Sequence, residues 1–472
     1  MEPATITAPA TATPTATPER VTPRPWLWAL VYLALLGPFF FATYGFANWY
    51  TARLPHVGAV VFGWERHIPF WDWTILPYMS LDAFYAGSLL FCATRAELDT
   101  HARRLAAASV ISVAGFLLFP LRFSFERPAT SGFNGALFDA LTGFDKPYNQ
   151  APSLHISLVL LVGLVYWRHV RGPLGWVVQA WFGLIALSVF TTYQHHFIDG
   201  VAGAAVGVVV VYLFPNGGWA RSARTHEALT AVAATTTTLR PTGPALDASW
   251  RRKLALAYAL GAALGLTLAA WAGGWAWLLL WPGAALVLVA TAYAGLGAAV
   301  FQKNADGQLN WAARWLLAPY QAGAWLSSRW FTRHGPPSAE VVPGLWLGRA
   351  PGRADWQHLP AGAVLDLTAE FSLGRAARAR PHRAVPLLDL AAPTPAELAG
   401  AVAALDALWP HAPVLVHCAL GYSRSAVVVA AWLLHRGRAA SPAEAEALVR
   451  AARPGVVLGP AHRRALALWM EG

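Results

Sequence analysis

Charge is what this sequence has least of. Only 12% of its 472 residues are Asp, Glu, Lys or Arg, where a soluble globular chain carries roughly a quarter. With apolar residues at 56%, that shortage excludes a chain that is water-soluble along its whole length. Acidic residues are scarcer still, 24 against 35 Lys and Arg, for a formal charge of +11. Such an excess would suggest nucleic acid in a soluble protein. Here the arginines cluster between apolar runs, as cytoplasmic loops do under the positive-inside rule, so no nucleic-acid partner is expected. Cysteine is nearly absent. Cys92 and Cys418 fall in different domains, and no spacing suggests a disulfide framework or a zinc site.

What is present is unevenly placed. Residues 26–300 are mostly apolar runs, and residues 339–472 have the composition of a soluble domain. A membrane span needs about 20 apolar residues. Candidate spans lie near 26–48, 69–92, 104–123, 153–170, 173–192, 198–215, 252–272 and 275–300. The run at 198–215 is short, and its Gly and Ala residues suit close helix packing in lipid. The arginines set the orientation: Arg20, Arg24, the connection Arg95–Arg104, the turn Arg168–Arg171 and the linker 216–251 belong inside. The loops 49–68 and 124–152 and the turn near 193–198 then fall outside.

The expected organisation is a disordered cytoplasmic tail (1–25), a six-helix membrane domain (26–215), a flexible cytoplasmic linker (216–251) and two additional transmembrane helices (252–301). An amphipathic interfacial segment (302–338) and a cytoplasmic soluble domain (339–472) follow. The first apolar run exceeds a signal-peptide core and lacks a small-residue cleavage site, so it reads as a retained anchor. The 24 tryptophans read mainly as interfacial belts.

The soluble domain has an α/β pattern. GLWLG (344–348), AVLDL (363–367), AVPLLDL (384–390) and PVLVH (413–417) are expected strands; Ala396–Trp409 and Ser425–His435 are expected helices. A strand, a tight loop and a helix therefore meet at VHCALGYSRS, Val416–Ser425. Loop N–H groups and the N-terminus of the following helix converge there into an anion cradle. Arg424, six residues after Cys418, can curl back onto two phosphate oxygens. The positive field favours the thiolate of Cys418, the form that attacks phosphorus. Ser425 can donate a hydrogen bond to the leaving thiolate, and His417 can help fix the loop. The leaving oxygen needs a general acid. Asp389 ends a strand 29 residues before Cys418 and is the best candidate; Asp366 reads as structural.

These residues resemble the dual-specificity branch of the protein tyrosine phosphatase superfamily, whose signature is His-Cys-x5-Arg-Ser. The match spans His417–Ser425, with Gly421 in register. The shortness of the domain suits a shallow pocket or a lipid headgroup.

A second constellation lies among the spans. Pro152–His155 (PSLH) starts one, His195–Gly200 (HHFIDG) begins another, and Arg122 and Arg127 flank an outer loop. Ionisable groups near a bilayer are functional candidates by default, and the topology places all of these at one face. One imidazole can attack phosphorus while a carboxylate orients it. Asp199, one helical turn after His195, can reach it. His155 can protonate the leaving group, and arginines can bind the phosphate oxygens. His196 reads as packing or support, and Lys146 as a loop charge.

This region, roughly 60–215, resembles the type 2 phosphatidic acid phosphatase superfamily, with wording (NQAPSLH, HHFID) nearer the branch containing inositol phosphorylceramide synthase. Arg127-Pro128 matches the end of the first motif, where Pro120 replaces the Lys and Arg122 is the substitute. In the second motif Ser153 and His155 match and Leu154 replaces a Gly. In the third, Ser188, His195 and Asp199 match and Val189 replaces an Arg. The resemblance implies His195 as nucleophile, Asp199 as its orienter and His155 as acid.

Both resemblances together imply a multi-span α-helical membrane domain followed by a soluble α/β cysteine-phosphatase domain, similar to bacterial fusions of these two units. The expected activity is hydrolysis of phosphomonoesters, chiefly of phospholipids, in a bacterial cell membrane, with no metal and no cofactor. The cysteine site then faces the cytoplasm and the histidine site the outer face. Two alternatives stay open: headgroup transfer between lipids at the histidine site, and a phosphoprotein substrate or regulatory role for the soluble domain.

Overall fold

The computed structural model describes residues 24–217 and 247–471; the tail and most of the linker, expected to be disordered and flexible, lie outside the described residues. The membrane part contains α1 (Trp26–Thr51), α2 (Ile75–Phe91), α3 (Arg95–Leu118), α4 (Gly132–Phe144), α5 (Leu154–His169), α6 (Gly172–Thr191) and α7 (Phe197–Leu213). After the linker come α8 (Ala248–Ala272) and α9 (Leu280–Thr291). Among the described residues, α1, α3, α6, α8 and the composite Gly274–Phe301 are long and apolar enough to cross a membrane, and α5 and α7 are shorter apolar helices.

Large side chains such as Leu27, Leu30, Leu35 and Phe41 on α1 are exposed, the pattern of a helix surrounded by hydrocarbon rather than water. Helices α5 and α7 approach closely because Gly203 permits it: a Cβ there would collide with the carbonyl oxygen of Ser153.

Three elements differ from the sequence expectation. The loop 124–152 contains α4, a short helix that buries little beyond Gly135 and Phe138. The window 275–300 is not one straight helix: α9 is followed by a π-helical turn, Ala292–Leu296, in which Gly295 adopts φ 147°. An L side chain rarely adopts that backbone, so the helical ladder ends there. The stretch 302–338 divides in two. Helices α10 (Trp311–Leu316) and α11 (Ala318–Phe331) expose Trp315, Trp325 and Trp330, as an interfacial segment would. Lys303, by contrast, is wholly buried against the C-terminal domain.

That domain is a five-stranded sheet in the order β1-β2-β5-β3-β4. Strand β1 (Ser338–Val342) runs antiparallel to β2 (Leu345–Arg349); β2, β5 (Val414–Cys418), β3 (Ala363–Thr368) and β4 (His382–Leu387) are mutually parallel. The short helix α12 (Arg375–Arg378) precedes β4, and α13 (Pro395–Leu408), α14 (Arg424–His435), α15 (Pro442–Ala452) and α16 (Pro460–Glu471) complete the domain. Strands β3 and β5 and helix α14 are buried almost throughout, which explains their continuous Val, Leu and Ala. The carboxyl ends of β3, β4 and β5 lie at one edge, where open α/β sheets bind ligands. Strand β1 and helices α15 and α16 lie outside the elements expected from the sequence.

Candidate active sites

The first site stands at that carboxyl edge. Cys418 ends β5, and Arg424 opens α14 six residues later. Gly421, at φ 77°, turns the loop against Gly348, whose backbone leaves no room for a Cβ. The Gly421 N–H donates to Cys418 Sγ at 3.2 Å, and the Ser425 hydroxyl lies 3.2 Å from the same sulfur. Two donors thus converge on the atom that would carry negative charge.

Arg424 is fully buried and anchored from three sides. Nη1 donates to Glu370 Oε2 at 2.9 Å and to the Leu387 carbonyl at 2.9 Å; Nη2 donates to Glu370 Oε1 at 2.7 Å and lies 3.0 Å from Asp389 Oδ1. Burial acts to lower its pKa, but the carboxylates of Asp389 and Glu370 outweigh burial and raise it, so it stays charged. The Asp389 carboxyl is displaced the other way: burial raises it, against the pull of Arg424, and the Glu370 charge adds to the rise. An acid that keeps its proton closer to neutral pH suits protonation of a leaving group.

Around this centre the structure places the remaining sequence-selected residues. His417 precedes the cysteine, with Nδ1 3.9 Å from Asp366 Oδ1. Burial lowers its pKa, partly opposed by Asp366. Asp366 binds Lys303 Nζ at 2.6 Å and the backbone and hydroxyl of Thr368 at 2.9 and 2.7 Å, a structural role. Nothing in the sequence marks Glu370. It lies in a loop between β3 and α12 with no motif of its own, and only the fold brings it to Arg424.

The second site gathers at the starts of α5 and α7. The Ser153 N–H donates to the Asp199 carbonyl at 2.9 Å, joining the two segments. His155 stacks on Tyr78 with ring centroids 4.1 Å apart. Nε2 of His155 and Nδ1 of His195 are buried without a hydrogen-bond partner among the described residues. The pairing of His195 with Asp199 is looser than a triad requires: Nδ1 is 3.7 Å from Oδ2, and that oxygen accepts the His196 N–H at 2.8 Å. Ser153 Oγ accepts from the Ile156 N–H at 3.3 Å, as the N-cap of α5. Arg127 sits over the Phe138 ring at 4.9 Å, and Arg122 is exposed.

His196 is the better-partnered imidazole. Its Nδ1 is 3.0 Å from Glu65 Oε2, and its Nε2 accepts the Ser124 N–H at 3.2 Å. Both its nitrogens are engaged, whereas His195 Nδ1 has no hydrogen-bond partner among the described residues. Glu65 was not found from the sequence, because its partner lies 131 positions away.

Helix α7 links the histidine segment to the joint with the C-terminal domain. This helix starts at the histidines and ends where Tyr212 donates to the Val300 carbonyl and accepts from Gln302, next to Lys303. Its 17 residues span roughly 25 Å at the helical rise. Among the described residues no group of three or more His, Cys, Asp or Glu side chains is placed to hold a metal.

Fold and sites define a membrane-associated phosphatase of two parts. Residues 349–471 match the family model of the dual specificity phosphatase catalytic domain, and residues 78–213 match that of the PAP2 superfamily. The chain is therefore a fusion of a PAP2-superfamily domain with a dual-specificity phosphatase domain, both phosphatase families. Among solved structures, human DUSP28 is 28% identical, over 29% of this chain and 95% of that one, with a TM-score of 0.25. A point variant of it is 30% identical over 29% and 96%, with a TM-score of 0.26. PTPMT1 in complex with PI(5)P is 21% identical over 29% and 95%, with a TM-score of 0.26. No curated protein matches the chain.

Proposed function

We propose that this protein is an integral membrane phosphatase with two active sites that hydrolyse phosphomonoesters of lipids in a bacterial cell membrane. A phosphocysteine forms at the cytoplasmic face and a phosphohistidine at the outer face. The observation that carries the reading is the convergence of Gly421 N–H and Ser425 on Cys418 Sγ, with Asp389 facing the same arginine that would bind phosphate.

At the cysteine site, Sγ attacks phosphorus and the P–O bond to the alcohol breaks. Asp389 gives its proton to the departing oxygen, while Arg424 and the loop N–H groups hold the phosphoryl oxygens. Water then attacks the S–P bond and returns a proton to Asp389, and the thiolate leaves with help from Ser425. At the histidine site His195 attacks, His155 protonates the leaving oxygen, Asp199 steadies His195, and water releases phosphate. Ser153, Arg122 and Arg127 would contact the phosphate, which requires Arg127 to leave Phe138. His417 and Gly421 shape the cysteine loop.

Lipid is favoured over a soluble ester because Lys303 ties the cysteine domain to the helical part and the exposed tryptophans of α10 and α11 suit a bilayer interface. Transfer of a phosphorylated headgroup to a second lipid is the alternative at the histidine site. It is supported by the wording NQAPSLH and HHFID, which resembles the branch containing inositol phosphorylceramide synthase.

The deciding experiment assays wild type, Cys418→Ser and His195→Ala against a panel of lipid phosphates in detergent. Inorganic phosphate released by wild type, and lost on different lipids in the two variants, supports the reading. Lipid-to-lipid exchange without phosphate release overturns hydrolysis at the histidine site. Equal aryl phosphatase rates in wild type and Cys418→Ser overturn cysteine catalysis.

A further inference from the structure

The loop that carries Asp389 is gripped from outside its own domain. The Tyr293 hydroxyl, in the π turn after α9, donates to the Asp389 carbonyl at 2.7 Å. Trp250 Nε1–H, in the first turn of α8, donates to the Leu390 carbonyl at 2.8 Å. Arg251 Nη2 donates to the Ala392 carbonyl at 2.8 Å, and the Ala392 N–H donates to Asp247 Oδ2 at 2.7 Å. Asp247 and Arg251 are themselves paired at 2.7 Å.

Three carbonyls and one N–H within Asp389–Ala392 are thus bound by the bases of the two helices that follow the linker. Leu388 and Ala391 from this loop, and Ala369 beside Glu370, belong to the same apolar cluster as Tyr293, Val289 and Phe301. The loop also carries local strain. Leu390 has φ 54°, a left-handed conformation that a branched L side chain keeps only where its surroundings enforce it. The other side of the pocket is tied to the same unit, because Lys303 Nζ donates to the Thr368 carbonyl at 2.6 Å and to Asp366, two and four residues before Glu370.

We propose that helices α8 and α9 are part of the cysteine site, with Tyr293, Trp250 and Asp247 as positioning residues that hold the acid loop so that Asp389 faces Cys418. The membrane pair then sets the geometry of a proton transfer in the neighbouring domain. This rests on the reading of Asp389 as the general acid. The membrane helices act as an outer wall that holds the acid loop in its strained form, and proton delivery depends on how they sit.

The full-length chain in detergent supplies the test, with two aryl phosphates. 4-Nitrophenol leaves as a stable anion and needs little protonation, whereas phenol needs an acid. Tyr293→Phe removes one hydroxyl and keeps the ring. Trp250→Phe, at a half-exposed helix end, is the second variant should the first fold poorly. The expected result is a loss of kcat on phenyl phosphate of about tenfold, within the range of general acid catalysis. That loss should exceed the loss on 4-nitrophenyl phosphate severalfold, with a flattened alkaline limb in the pH profile.

Equal losses on both substrates, or no loss in either variant, overturn the clamp. Asp389→Asn separates the two ideas. If it shows the leaving-group-selective loss and the clamp variants do not, only the clamp fails. If Asp389→Asn itself shows no selectivity, the acid assignment fails and the clamp falls with it.

Discussion

Arg424 and Glu370 form a two-pronged pair, Nη1 to Oε2 at 2.9 Å and Nη2 to Oε1 at 2.7 Å, both side chains being almost wholly buried. Asp389, 26% exposed, contacts the same guanidinium from the open side at 3.0 Å. An incoming phosphate would therefore displace Asp389 and leave Glu370 in place. Glu370 fixes the guanidinium through both prongs of its fork.

Replacing Glu370 by Gln keeps the shape and removes the charge that fixes the arginine. The expected outcome is a fall in kcat/KM for an aryl phosphate of about 10²-fold, the scale seen when one transition-state donor is misplaced. The thermal midpoint should fall as well, because losing one partner of a buried ion pair costs about 3–5 kcal/mol. Steady-state kinetics and a thermal scan of the same sample check both, and unchanged kinetics would remove Glu370 from the site.

Asp389→Asn tests the acid through its pH dependence. Burial raises the Asp389 carboxyl above the usual carboxylate range, and a general acid works only while protonated. Turnover of a poor leaving group should therefore decline as pH rises through that raised value. The Asn variant should lose about 10²–10⁴ in rate together with that decline. A variant retaining the alkaline fall would place the acid elsewhere.

Much of the cysteine site was legible in the sequence because one contiguous loop carries it. The order His417, Cys418, Gly421, Arg424, Ser425 dictates strand, turn and helix, and each stands where that order implies. Glu370 and Lys303 were not legible, since neither belongs to a local motif and each finds its partner only across the fold. The break after α9 was hidden for another reason. Hydropathy reports that a segment can lie in lipid, not whether one glycine in the left-handed region interrupts its ladder. At the histidine site only the spacing to Asp199 set His195 apart from its neighbour in the sequence. It could not show that His196 pairs with Glu65.

That difference between adjacent histidines is measurable. His195→Gln should abolish an acid-labile, base-stable phosphoenzyme trapped by quenching turnover of a radiolabelled lipid phosphate. His196→Gln should still form it, at a reduced rate, because Glu65 also accepts the Phe197 N–H at 3.0 Å and keeps part of the turn in place. Loss of the phosphoenzyme only in His196→Gln would reverse the assignment.

Lys303 joins the two halves of the chain. Lys303 is wholly buried and donates to Asp366 Oδ2 at 2.6 Å, the Thr368 carbonyl at 2.6 Å and the Thr368 hydroxyl at 3.0 Å. Burial alone would raise the Asp366 pKa, but the Lys303 and His417 charges outweigh it and hold the carboxyl below its ordinary range. A carboxylate whose folded value is depressed contributes stability above its unfolded value, and that contribution disappears as pH falls through the folded value. Lys303→Met leaves Asp366 buried and unpaired, a change worth about 3–5 kcal/mol. The unfolding midpoint of the variant should therefore lie well below wild type at neutral pH, and the two curves should converge in acid, where Asp366 is protonated in both. A deficit that stays constant from neutral to acid pH would mean that Lys303 acts by filling space and not by its charge.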